Sequence, residues 1–288
     1  MQHFSEIIPL QQQVLAWKKQ GAKVGFVPTM GNLHEGHLSL VVRAKQQADK
    51  VVASVFVNPL QFGPNEDFDQ YPRTLDADAE KLQQIGCDAL FAPSVQEMYP
   101  EGDLQTRVCA APSLANRLEG ALRPGHFDGV TTVVAKLFHI VQPDLAVFGQ
   151  KDFQQYLVIE KMVSDLSFPI QLIRAPIARA EDGLALSSRN QYLTPEQRAI
   201  APKLYQTLQA LSVRLKGLKS FDEAMIEKQL QAAQQALLTA GFDQVDYLQL
   251  LDAKTLEPCE SLSQGAVLLA VARLGKTRLL DNILINID

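Results

Sequence analysis

Cysteine is scarce in this chain of 288 residues: Cys87, Cys109 and Cys259 are odd in number, lie far apart and form no CxxC pair. That spacing speaks against a disulfide framework or a structural zinc site, and the simplest expectation is three small buried hydrophobes. Long hydrophobic runs are missing too, and no apolar stretch approaches membrane-spanning length. Met1 to Glu6 offers no basic segment leading into an apolar core, so no secretory signal is expected. Reduced thiols without a targeting signal predict the cytoplasm. Nor is there an excess of positive charge. The 27 Lys and Arg against 32 Asp and Glu leave −5, which argues against a surface that coats nucleic acid while permitting one small cationic pocket. Apolar residues are plentiful, 47% against 20% charged. That is ample for packed cores, and the length suits about two domains.

The first two-thirds of the chain alternates strand-like and helix-like segments. Strands are predicted at 23–27, 51–57, 88–92, 145–148 and 170–175, and helices at 38–48, 76–85, 130–141 and 154–166. This alternation predicts an α/β fold, a doubly wound parallel sheet covered by helices. The segment 130–141 is rich in β-branched residues, but apolar positions 130, 133, 134, 137, 138 and 141 fit the helical period. Beyond about Asp182 the pattern changes. Helices are expected at 195–215, where Thr194 caps and Pro195 begins, and at 221–240. Strands at 245–251, 266–272 and 280–287 complete a smaller C-terminal α+β domain. Pro176 and Gly183 mark the boundary region, giving domains 1–180 and 181–288.

Several segments carry chemistry. Pro28-Thr29-Met30-Gly31-Asn32-Leu33-His34-Glu35-Gly36-His37 joins a predicted strand to a predicted helix. Such junctions bind ligands in open α/β sheets, with helix amides facing an anion, and imidazoles there can donate to phosphate oxygens. A capped helix start and metal binding are the alternatives, although HEGH lacks the HExxH spacing. Gly149-Gln150-Lys151-Asp152 follows another strand, with a glycine for close approach and a lysine for phosphate. Leu186-Ser187-Ser188-Arg189-Asn190 offers hydroxyls and a guanidinium that suit a polyphosphate. Gln61 and Gln155 can present uncharged amides to a small polar substrate. The acidic stretch Glu66, Asp67, Asp69, Asp76, Asp78 and Glu80 has no compact ligand spacing and reads as a solvated loop and helix face. Arg123-Pro124-Gly125-His126-Phe127 reads as a mobile loop at a pocket mouth, or as a polar turn.

Taken in order, PTMGNLHEGH, FVNPLQFGPNEDFDQYPRT, RPGHFDGV, FGQKDFQQ and LSSRN resemble the pantothenate synthetase (pantoate–β-alanine ligase) family over nearly the whole chain. That family belongs with the HIGH-motif nucleotidyltransferases, and the resemblance implies a Rossmann-like first domain and a C-terminal lid domain. It also implies ATP-dependent condensation of (R)-pantoate with β-alanine through pantoyl adenylate, releasing pyrophosphate and AMP, with Mg²⁺ accompanying ATP. By the same resemblance Met30, Gly31, Asn32, Leu33, His34, Glu35, Gly36 and His37 line the ATP site, and His37 is the proton donor. Gly149, Gln150, Lys151 and Asp152 hold ATP with Lys151 on its phosphates, and Leu186, Ser187, Ser188 and Arg189 form a phosphate loop. Ala178 is a further backbone contact to ATP, and Gln61 and Gln155 bind substrate. Leu186 and Ala178 stand where the family usually has methionine and a branched residue. A homodimer is implied, with no nucleic-acid or membrane partner; no metal-ligating residue is singled out, and which protein groups meet Mg²⁺ stays open. On residues alone, an HxGH enzyme with a phosphate acceptor and a catalytically silent nucleotide-binding regulator remain rivals.

Overall fold

The computed structural model describes residues 1–64, 66, 68–102, 106–218, 222–259, 261–262 and 265–285. The chain divides into two compact units, Met1–Gln150 with Gln154–Pro176, and Lys151–Phe153 with Ile177–Asp288.

The first unit runs β1 (Gln2–Phe4), α1 (Ile7–Lys19), β2 (Val24–Thr29), α2 (Glu35–Lys45), β3 (Lys50–Val55), α3 (Leu75–Gln84) and β4 (Ala89–Phe91). Short helices α4 (Val95–Met98), α5 (Pro112–Ala115) and α6 (Leu118–Leu122) follow, then α7 (His126–Val141), β5 (Leu145–Gly149), α8 (Phe153–Asp165) and β6 (Gln171–Ala175). The strands form one sheet in the order β1-β4-β3-β2-β5-β6, with every pairing parallel. From β2 the chain steps outward through β3 to β4. It then returns to lay β5 against the other side of β2 and steps the opposite way to β6. The order therefore reverses between β2 and β5, and the crevice at such a reversal is where open α/β sheets take ligands.

Alternation along the strands separates two cores. Val27, Ala53, Val147 and Ile173 pack in one cluster with Leu38, Val41 and Ala44 of α2. On the other face the Phe138 ring of α7 stands edge-on to Phe26 at 6.3 Å and to Phe148 at 6.4 Å. Gly25 lets α2 sit close to the sheet, because a Cβ there would lie 3.4 Å from the Cβ of Ala44. α7 is buried along nearly its whole length, so its β-branched residues meet packing on every side and tertiary contacts outweigh their strand propensity.

The second unit contains α9 (Pro195–Ile200), α10 (Lys203–Lys216), α11 (Glu223–Thr239) and an antiparallel sheet of β7 (Gln244–Asp252), β8 (Ala266–Leu274) and β9 (Thr277–Ile285) in sequence order. Leu204, Leu208, Leu211 and Leu215 of α10, with Leu230 and Leu237 of α11, pack against Leu248, Leu268, Ala270 and Leu279.

The structure corrects several expectations. The helix expected at 195–215 is two helices, because Pro202, the N-cap of α10, has no N–H to continue the ladder. Its start is as expected, with Thr194 and Gln197 bonding reciprocally at 3.0 and 3.3 Å. α11 starts at Glu223, capped by Asp222, and Phe221 lies outside the described residues, as do Asp67 and positions 286–287 of the last expected strand. β1 and α1 were not anticipated as elements. Cys87 is buried and Cys259 half-buried, but Cys109 is exposed, against the expectation of three buried thiols. Among the described residues no helix is long and apolar enough to cross a membrane.

Candidate active site

The turn after β2 brings Gly31 and Asn32 into the left-handed region, at φ 86° and 50°. A Cβ on Gly31 would stand 2.9 Å from Val55, so the turn requires glycine. Asp78 of α3 holds this turn in place. Its carboxylate accepts the Asn32 N–H at 2.8 Å, the Leu33 N–H at 2.7 Å and the Thr74 hydroxyl at 3.1 Å. The Lys81 ammonium donates to the Leu33 carbonyl at 2.6 Å. Asp78 is completely buried, so it does not belong to the solvated acidic face expected of it. Asp76 and Glu80 are exposed as expected.

His34 is the N-cap of α2, and its Nδ1 accepts the Gly36 N–H at 3.1 Å. The His37 Nδ1 accepts the His34 N–H at 3.4 Å. The two rings lie 4.0 Å apart, tilted by 37°. With Nδ1 accepting, each neutral ring carries its proton on Nε2. The helix amides behave otherwise than expected: the N–H of Gly36 is taken by the His34 ring and those of His37 and Leu38 by the His34 carbonyl. The Gly36, His37 and Leu38 amides are thus engaged within the helix start itself.

Gln61 lies in a single 3₁₀ turn, Pro59–Gln61, just beyond β3. The Tyr99 hydroxyl at 2.7 Å and the Leu60 N–H at 3.3 Å both donate to Asn58 Oδ1. Asn58 Nδ2 donates to Gln61 Oε1 and to the Gly129 carbonyl, each at 3.1 Å. Every hydrogen-bonding position of the Asn58 amide is thus engaged, and this fixes which end of the Gln61 amide is which. Gln61 Nε2 faces the Met30 sulfur at 3.1 Å, a weak acceptor that a substrate oxygen readily outcompetes. This contact places Gln61 beside the turn that contains Met30.

Behind Gln61 sits the RPGHF segment, and it is a buttress where a mobile loop was one expectation. Arg123 pairs with Glu66, with Nε at 2.6 Å from Oε1, and its Nη1 lies 3.1 Å from His126 Nε2. A guanidinium can only donate, so His126 Nε2 accepts and Nδ1 carries the proton, which it donates to the Gln61 carbonyl at 2.8 Å. Burial raises the Glu66 carboxyl, but its bonds to Arg123 more than offset this and hold it below its usual range. Burial, with the Arg123 cation adding to it, pushes the His126 imidazole down from 6.5 to about 4. As pH falls through 6.5 the unfolded chain takes up this proton while the folded chain does not. The stability His126 contributes is therefore intact above 6.5 and lost toward 4. Between pH 7 and 5 this group accounts for a loss of roughly 2 kcal/mol. Urea unfolding at the two pH values should show it, and His126→Asn should remove that increment.

Of the other sequence-predicted residues, Gly149 ends β5 and Gln155 is half-buried in α8. The neighbouring Gln154 is structural: buried, it donates to the Leu114 and Arg117 carbonyls, both at 2.7 Å. Gln150, Lys151 and Asp152 form a 3₁₀ turn. The Lys151 ammonium lies 3.2 Å from Asp152, and the Lys151 carbonyl accepts the Asn282 side-chain amide at 2.9 Å.

In the second unit Ala178 and Leu186 pair directly, the Leu186 N–H donating to the Ala178 carbonyl at 2.9 Å. A main-chain bond is indifferent to side-chain identity, so the departures from the family's usual residues leave this pairing untouched. Arg179, within the same hairpin, stacks 3.5 Å above Tyr205 and forks onto the buried Asp281 at 2.6 and 2.8 Å. Burial pushes the Asp281 carboxyl upward, with Arg179 pulling against it. Ser187 caps the turn Ser188–Tyr192, its hydroxyl accepting the Arg189 N–H at 3.3 Å, and Asn190 bonds back to the Ala185 carbonyl at 2.9 Å. The structure thus gathers Met30 to His37 with Gln61 in one unit, and Ala178 with Leu186 to Arg189 in the other. Asp78, Asn58, Tyr99 and His126 are the supporting residues that the sequence reading did not single out as such.

The family model for pantoate-beta-alanine ligase matches residues 2–284. A pantothenate synthetase from Hydrogenovibrio crunogenus is 57% identical over 279 residues, spanning 96% of this chain and 97% of its own. The crystal structure of pantothenate synthetase from Thermus thermophilus is 47% identical, with a TM-score of 0.91 over 100% of both chains. A pantoate-beta-alanine ligase from Francisella tularensis, solved in complex with beta-gamma ATP and beta-alanine, is 36% identical with a TM-score of 0.80, over 99% of this chain and 97% of its own.

Proposed function

The chain belongs to the pantoate–β-alanine ligase family, and from that premise we propose how its residues divide the reaction. The enzyme condenses pantoate with β-alanine using ATP, and forms pantothenate, AMP and pyrophosphate by way of pantoyl adenylate. A carboxylate is a poor electrophile because oxide is not a viable leaving group, and adenylation supplies one. A pantoate carboxylate oxygen attacks the α-phosphorus of ATP, the bond to the bridging oxygen breaks, and negative charge accumulates on pyrophosphate. His34 and His37 donate Nε2–H bonds to that charge, and His37 is the proton donor. The observation that carries this reading is the engagement of both Nδ1 atoms, which commits each ring to Nε2 as donor.

Met30 to His37 and Gly149 to Asp152 hold the nucleotide, with Lys151 as point charge on its phosphates. Ser187, Ser188 and Arg189 add donors to the departing pyrophosphate, and Ala178 and Leu186 contribute main-chain contacts. Gln61 and Gln155 form the substrate-binding set and bind pantoate. An uncharged amide orients the carboxylate without neutralising its nucleophilicity. In the second step the neutral β-alanine amine attacks the acyl carbon and AMP leaves. Closure of the 186–189 loop, in the lid domain 181–288, excludes water and protects the mixed anhydride.

Mg²⁺ enters as the partner of ATP. Among the described residues no group of three or more His, Cys, Asp or Glu is arranged to hold an ion, and Mg²⁺ is commonly bound through substrate phosphates with one or two carboxylates. The enzyme works as a homodimer in the cytoplasm. A coupled assay for AMP tests the whole reading: release should require pantoate and β-alanine together, and AMP release independent of either would count against it.

A further inference from the structure

The segment Arg123 to Phe127 takes no part in the chemistry above, yet two of its side chains are bound to a substrate-binding position. We propose that His126 is a positioning residue: by one hydrogen bond to the Gln61 carbonyl it fixes where the Gln61 amide meets pantoate. This rests on the reading of Gln61 as a pantoate ligand.

Gln61 ends a single turn with weak internal bonding, its own N–H reaching the Asn58 carbonyl at 3.5 Å and the next N–H reaching Pro59 at 3.3 Å. Asn58 sets how the Gln61 amide is oriented, but the place from which the side chain projects depends on the backbone. The strongest donor to that backbone is His126 Nδ1 at 2.8 Å, while Arg123 Nη2 lies farther off at 3.4 Å. Helix α7 can bring His126 this close because Gly129, one turn on, has no side chain: a Cβ there would fall 2.2 Å from the Leu60 carbonyl oxygen. Gly125, at φ 79°, makes the turn into the helix.

The donor role is enforced from behind. Glu66 holds Arg123, Arg123 occupies Nε2, and the ring has no choice but to carry its proton on Nδ1. Both nitrogens are engaged and the residue is 9% exposed. His126 therefore has no nitrogen to offer as acid, base or metal ligand, and acts through Gln61. A displacement of about an ångström in a positioning group can change rate or affinity on the order of 10²-fold.

Two substitutions separate the halves of the ring. The amide of Asn overlays Nδ1 and can still donate to the Gln61 carbonyl, whereas the amide of Gln overlays Nε2 and can serve only Arg123. His126→Gln should raise KM for pantoate by roughly 10- to 100-fold, with KM for ATP within about threefold of wild type. His126→Asn should bring KM for pantoate back to within about threefold. Equal impairment of the two variants, equal changes in both KM values, or wild-type pantoate KM in His126→Gln would overturn the proposal. Gln61→Ala runs alongside. Unchanged pantoate KM there would remove the premise about Gln61, whereas a raised KM there with an unaffected His126→Gln would reject the positioning role alone. Nitrogen-15 NMR of the wild-type enzyme gives a readout that no variant's folding can obscure. His126 should show protonated Nδ1 and unprotonated Nε2 throughout pH 8 to about 6, and the opposite tautomer would contradict the assignment.

Discussion

Replacing His37 by alanine is expected to lower kcat for pantoate-dependent pyrophosphate release by on the order of 10² to 10³, while leaving the fold intact. The imidazole has two separable jobs. Its Nδ1 accepts the His34 N–H over a long 3.4 Å contact, and loss of so weak a cap costs well under about 1 kcal/mol. In the proposed mechanism its Nε2–H meets charge that develops only as pyrophosphate departs, so its loss should fall on the transition state. Lys151→Ala should act in the same direction. Its ion pair with Asp152 spans 3.2 Å with Asp152 half exposed, and such surface pairs contribute little to stability. Steady-state rates combined with thermal unfolding check both variants. Wild-type turnover in both would remove them from the catalytic set.

Asp78→Ala is expected to destabilise the protein by about 3–5 kcal/mol and to raise KM for ATP. The carboxylate is completely buried and satisfies the Asn32 and Leu33 N–H groups together with the Thr74 hydroxyl. Alanine leaves the buried Leu33 N–H and the half-buried Asn32 N–H without this acceptor, while the exposed Thr74 hydroxyl can turn to water, and each buried unsatisfied group carries a desolvation penalty. It also releases a turn that depends on two successive left-handed residues, Gly31 and Asn32. Urea unfolding measures the first effect and ATP titration of the initial rate the second. A loss below about 1 kcal/mol would mean that the turn holds itself without Asp78.

Asp78 also shows what can be read from sequence and what cannot. Positions 78 and 82 are four apart on α3, and Leu82 is completely buried. A carboxylate on the apolar face of a helix was the visible signal. It was masked by the flanking Asp76 and Glu80, which are solvated. The β2–α2 junction was legible because its strand, its glycine and its histidines are contiguous. Even so, the helix begins at Glu35, earlier than the expected 38, because His34 caps it with a side chain. Helix α1 buries Leu10, Val14 and Trp17 at helical spacing, a pattern obscured by Pro9 and by the glutamines at 11–13. The break at Pro202 was legible from one residue and was outweighed by the long apolar periodicity around it. The role of Arg123 and His126 was not legible, since it depends on partners 57 and 65 residues away. Alternation of strands and helices revealed the doubly wound sheet where a crossover is local in sequence, as from β2 to β3 and from β5 to β6, whereas the long return from β4 to β5 and the pairing of β1 with β4 were not legible that way.

The most direct test of the central claim, that paired imidazoles at the start of α2 stabilise pyrophosphate as pantoate is adenylated, is exchange of labelled pyrophosphate into ATP without β-alanine. The wild-type enzyme should exchange label only when pantoate is present, and His37→Ala, folded and still binding ATP, should lose that exchange by the same factor as its overall turnover. Exchange at the wild-type rate in His37→Ala, or exchange in the wild type without pantoate, would contradict the account.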